Sequence, residues 1–235
     1  MKSSMNRIAV FVAVALAATG LYAQQAKTIR TGITTVVPAS SFVSNLHSLG
    51  ITLGVVGPSE MDDGGISFPM TGGVVDLITA SAQGIHSGGL TLTAGATEVR
   101  LQSLIIDTTG PELFITGLVV IDNKLIGRMP LFDLQPPNGV LLPLIPNKGG
   151  VLKVNGLGLT LTVAAAGALN TAFNTTVLQP HMEVGMANVI AMLSHPPDAD
   201  DPNDGENGDH NADHDGHSSH PIQLHHDHEH EQGHE

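Results

Sequence analysis

His210, His214, His217, His220, His225, His226, His228, His230 and His234 all fall within residues 196–235, among twelve aspartates and glutamates and without one lysine or arginine. Neutral imidazole is the commonest side-chain metal ligand, and carboxylates add oxygen donors that attract cations. The chain has no cysteine, so the ions these ligands suit are zinc, nickel and copper(II) rather than copper(I). A flexible segment can gather several imidazoles around one ion, but it loses entropy in doing so, and its affinity should fall below that of a preformed site. Acidification would protonate the imidazoles and release the metal. The expectation is therefore a pH-gated segment whose partners are divalent metal ions. A charged, solubilising tail is the plain alternative. An expression tag fits poorly, because the histidines are spread among acids instead of forming one run.

A second candidate is His86, in "GIHSGGL" (residues 84–90). It could be an iron ligand or hydrogen-bonding group at the end of a folded body. It could also belong to a tight connection whose glycines supply unusual backbone angles. Other constellations are weaker. Ser81 or Ser87 with His86 and Asp76 names a triad without a Gly-x-Ser-x-Gly elbow to hold it. Asp62-Asp63-Gly64-Gly65 lacks the alternating oxygen ligands of a calcium loop and reads as a surface turn. "GGVVDLITASAQG" has no phosphate-loop lysine. Asn174-Thr175-Thr176 reads as a helix end. His47 is expected to face solvent and His181 to stand at a strand start. No catalytic group emerges, and an enzyme is not expected.

What must position these residues is read from patterning. Lys2 and Arg7 precede the apolar run Ile8–Ala18, which ends in small residues at Ala23. That is the form of a secretory signal, shorter than the roughly 20 apolar residues of a membrane span. Residues 1–23 are thus expected to be removed, leaving a secreted or periplasmic protein, bacterial by the look of its signal, with no membrane span. Residues 24–195 carry ten acids against seven bases. No basic face is available for nucleic acid.

Residues 24–195 are enough for one domain, rich in aliphatic and β-branched residues. Short apolar runs recur between turns: "TIRTGITTVV", "GISFPM", "GGVVDLI", "GLTLTAGATEVRLQSLIID", "ELFITGLVVIDNKLIGRMPLF", "GLGLTLTV" and "MEVGMANVIAML". Leu90 and Leu92 alternate with threonines. Val99, Leu101 and Ser103 alternate with Arg100, Gln102 and Leu104, the period of a half-buried strand. Asp122-Asn123 reads as a hairpin turn. Phe42, Val43, Leu46 and Leu49 share a helical face, with Ser40 or Ser41 as cap and Gly50 as stop. Leu169 and Phe173 mark a second short helix. The expected fold is mainly β: an antiparallel β-sandwich with two short helices plugging its edges or ends. After Pro196-Pro197 the chain holds almost nothing apolar, so residues 196–235 are expected to be disordered.

"GGISFPMTGGVVD", "GIHSGGLTL" and "LGLTLTVAAAGALNTAF" together resemble the haem-transport-associated, HtaA-like domain family over about residues 64–175. The resemblance implies a β-sandwich with two short helices. It also implies haem bound through an axial tyrosine near the domain start, supported by a histidine in a motif like "HSGG". His86 matches that histidine. The only tyrosine, Tyr22, leaves with the signal, and Phe42 stands near where the axial residue belongs. Haem is therefore not the expected cofactor. Two further readings stay open: a structural or adhesive module whose body binds an unknown protein or surface ligand, and a haem-binding module of the HtaA-like kind.

Overall fold

A computed structural model describes residues 26–137 and 142–194. The expected signal, residues 1–23, and the expected tail, residues 196–235 with nine histidines, lie outside the described residues. The elements in chain order are β1 (Ala26–Pro38), α1 (Ser40–Ser48), β2 (Thr52–Val56), β3 (Glu60–Asp62), β4 (Gly65–Asp76), β5 (Ala82–His86) and β6 (Gly89–Ala94). They continue with β7 (Thr97–Asp107), β8 (Phe114–Ile121), β9 (Lys124–Gln135), β10 (Val151–Leu161), α2 (Val163–Ala172) and β11 (Glu183–Leu193). Every strand pairing among them is antiparallel.

The expected sandwich is corrected to a barrel. Strand β7 pairs with β5 and β6 along one edge and with β8 along the other. The order β7-β5-β4-β1-β11-β10-β9-β8 then returns to β7, and eight strands close on themselves. A period of two reports one buried face and is the same for a sandwich and a barrel, so the alternation could not separate them. Strand β2 extends the sheet beyond β6, and β3 adds to the edge of β4.

Two backbone features set the phase of the side chains. Asp122 and Asn123 both have positive φ, 49° and 65°, and join β8 to β9 in the expected tight turn. Ser103 also has positive φ, 53°, and the β7–β8 register shifts between Gln102 and Ile105. This bulge resets the alternation. Val99 and Leu101 point inward, Ser103 is exposed, and Leu104 and Ile106 take over the buried face.

The helices lie at one end. Phe42 and Leu46 of α1 and Ala165, Ala166 and Leu169 of α2 are buried in the core. Thr162 caps α2, its Oγ1 accepting from Ala165 N at 3.0 Å and donating to Pro130 O at 2.8 Å. Helix α1 differs from expectation. Its N-cap is Ala39, with no side-chain cap, because the chain enters the helix directly from β1 and Ala39 N donates to Val184 O at 2.9 Å. Gly50, with φ 66°, ends the helix as expected. No helix among the described residues is long and apolar enough to cross a membrane.

Candidate functional site

His86 ends β5 and, among the described residues, is the only titratable side chain lining the pocket at the helix end of the barrel. Its surroundings follow from the motif around it. Gly88 has φ 79°, and a Cβ there would meet Ser59 Oγ at 2.2 Å and Val56 O at 2.8 Å. A Cβ on Gly89 would strike Leu101 O and the Gln102 Cα at 2.1 and 2.7 Å. Ser59 Oγ accepts from Gly89 N at 2.9 Å. The two glycines let the β5–β6 junction press onto the β2–β3 turn, and β5 and β6 continue along the same edge of β7. The junction holds His86 inside the wall.

The imidazole is 4% exposed. Its Nε2 lies 2.8 Å from Thr34 Oγ1 on β1, and which atom donates depends on the tautomer. Burial pushes the His86 pKa down to about 4, since a charged imidazolium would lose its hydration. The carbonyls of Leu104 and Gly84 push the other way, less strongly. Nδ1 closes no hydrogen bond of ordinary geometry with any protein atom. When Nε2–H donates to Thr34, Nδ1 carries the lone pair of the ring. A hydrogen bond at one ring nitrogen in this way sets which nitrogen is free to ligate.

The rest of that pocket is apolar. Phe42, Phe68 and Phe132 contribute rings, and Thr34 is the only other polar side chain. The enclosed cavity is small, about 50 Å³. On the far side of His86 the interior continues. Met70 is the register partner of His86 across β4 and β5. A Cβ on Gly84 would lie 3.3 Å from Met70 Cε and 3.8 Å from His86 Cε1. Met70, Gly84, His86 and Ile106 thus form a waist, beyond which lies a second cavity of about 510 Å³ at the opposite mouth.

The other candidates do not converge. Ser87 Oγ donates to Pro69 O, and Asp76 Oδ1 accepts from Ile78 N and Thr79 N, so neither engages His86. Asp62 Oδ1 accepts from Gly64 N in the turn between β3 and β4. His47 is exposed at the end of α1, and His181 sits before β11 with its Nδ1 3.3 Å from Asp133 Oδ2. Among the described residues no group of three or more histidines and acids is placed to hold a metal ion. Thr34, Met70 and Gly84 gave no signal in the sequence, since each belongs to an unremarkable strand and is joined to His86 only by register.

No protein-family model and no curated protein matches the chain. Solved structures do. The C-terminal domain of HtaA from Corynebacterium glutamicum matches with a TM-score of 0.55 at 14% identity, over 72% of this chain and 99% of that one. The N-terminal domain of HtaA gives 0.53 at 10% identity, over 71% and 99%. The heme binding protein HtaB from the same organism gives 0.48 at 11% identity, over 72% and 95%. The barrel with its two helices therefore has the fold of the HtaA domains. These matches overturn the expectation that haem is not a cofactor here. That expectation rested on one absent side chain, whereas the whole barrel shares the fold of the HtaA domains.

Proposed function

We propose that this chain is an exported, non-enzymatic binding protein whose barrel takes haem as its ligand, with His86 supplying the iron-binding imidazole. The observation that carries the reading is the unpartnered Nδ1 of a buried, neutral histidine in an otherwise apolar pocket. Haem iron accepts histidine as an axial ligand, and aromatic rings suit the faces and edges of a macrocycle. His86, Phe42, Phe68 and Phe132 provide both kinds of group. No tyrosine occurs among residues 24–235, so in this reading the histidine acts as ligand and not as support for another one. Room is the remaining requirement. The enclosed 50 Å³ does not hold a porphyrin, so α1 and α2, which contribute Phe42 and Leu169 to the lining, must part to admit it. Haem is taken here as cargo: its iron is the Lewis acid, and the chain's part is to hold it away from water.

The test is titration of the full chain with hemin, followed by absorbance, after replacing the nine tail histidines with serine so that they cannot bind iron. One equivalent should bind saturably, and His86→Ala should weaken binding at least tenfold. Absence of saturable binding, or binding indifferent to His86→Ala, would count against the reading.

A further inference from the structure

The larger cavity lies at the mouth where β1, β5, β8 and β10 begin and β4, β7, β9 and β11 end. Ile29, Val75, Leu113, Leu134, Leu152 and Val189 contribute to its lining from around the barrel. Among the described residues, no charged, titratable or aromatic side chain lines it. The two hydroxyls present are already engaged. Thr108 Oγ1 accepts from Ala82 N and donates to Ala80 O, both at 2.8 Å. Thr79 Oγ1 accepts from Ser81 N at 3.3 Å. None of the buried polar atoms left without a partner belongs to this lining.

Those facts restrict the occupant. Water held in a cavity needs two to four polar partners, and the described side chains of this lining offer only two hydroxyls, each already in a hydrogen bond. At about 510 Å³ it lies within the range of roughly 300–1,000 Å³ that holds small-molecule ligands. An apolar cavity of roughly 150 Å³ already binds benzene. Eight-stranded barrels are wide enough to enclose one small ligand. Without rings to stack on, a planar aromatic gains nothing over a flexible hydrocarbon. Without a cation or free donor, a polar head gains nothing by entering. Ile106 is the one residue that lines both cavities, so the waist separates this chamber from the pocket of His86.

We propose that this chamber is a second, separate site that takes one aliphatic chain, the hydrocarbon of a fatty alcohol, a fatty acid or a single-chain lipid, with the polar head left at the mouth in water. The claim does not depend on haem binding. The test uses the full chain and 11-(dansylamino)undecanoic acid as the probe. Saturable uptake of one equivalent with blue-shifted emission is expected. Dodecanol, dodecanoate and dodecanoyl lysophosphatidylcholine, each below its aggregation threshold, should displace the probe to within a few-fold of one another. Ala191→Leu on β11 and Ala82→Leu on β5 both fill the chamber, and each should weaken uptake at least tenfold. Far-UV circular dichroism and the unfolding midpoint check each fold, and either folded variant suffices for the comparison. Failure of the probe to bind saturably, uptake unaltered by the filling substitutions, displacement by only one head group, or displacement by one equivalent of hemin would each overturn the proposal. The last outcome would assign the chamber to haem, whereas loss of haem binding alone would leave it standing.

Discussion

Acid should weaken this barrel through one residue. The unfolded His86 titrates at 6.5, and in the folded protein burial lowers that to about 4. Between these values the unfolded chain holds a proton that the folded chain refuses. The stabilisation is complete above pH 6.5, falls as pH drops through the window, and is lost by pH 4. From pH 7.5 to pH 4.5 the loss attributable to His86 is about 2–3 kcal/mol by proton linkage. With a urea dependence of about 2 kcal/mol/M, the midpoint should fall by about 1 M. No acid lines the pocket to hold the imidazolium. Asp107, whose carboxyl is held below its ordinary 3.8 by hydrogen bonds from Thr109, adds stability that is present above that value and lost as pH falls beneath it, outside this window. The assay is urea unfolding at the two pH values followed by circular dichroism, since the chain has no tryptophan and its one tyrosine, Tyr22, precedes the barrel. His86→Gln should be less stable at pH 7.5 and should lack this component of the acid loss. Parallel losses in the wild type and His86→Gln would show that the buried imidazole does not drive the response.

Further outcomes follow from the same contacts. Thr34→Val leaves His86 Nε2 without its 2.8 Å partner and should cost about 1–3 kcal/mol in urea unfolding. Gly88→Ala combines an unfavourable φ of 79° with contacts of 2.2–2.9 Å; calorimetry should show a loss of about 3 kcal/mol. Thr162→Ala removes the cap of α2 together with the bond to Pro130 and should cost about 1–2 kcal/mol. Ala39→Asp should instead stabilise the uncapped α1 by about 1 kcal/mol in the same measurement.

Local chemistry was legible in the sequence, and long-range register was not. Alternating leucines and threonines marked β6, and Asp122-Asn123 marked the β8–β9 hairpin because few other pairs tolerate two positive φ values. The apolar spacing of Phe42 and Leu46 revealed α1 because helical period is a local property. Closure of the barrel depends on β7 bonding along both edges, which leaves no trace in any single strand. Ser103 looked inward-facing until a bulge reset the phase. The motif around His86 suggested glycines needed for backbone geometry, and the contacts of Gly88 bear that out. Its partner Thr34 stands 52 residues away. The chamber beyond the waist is assembled from most strands of the barrel, a few residues from each, so no segment announces it.

Resonance Raman spectroscopy of the ferrous haem complex tests the central claim most directly, using the chain with its nine tail histidines replaced by serine. An iron–imidazole stretching band is expected, lost in His86→Ala and restored when free imidazole is added to that variant. A haem complex without the band, or a band that persists in His86→Ala, would contradict the assignment of His86 as the iron ligand.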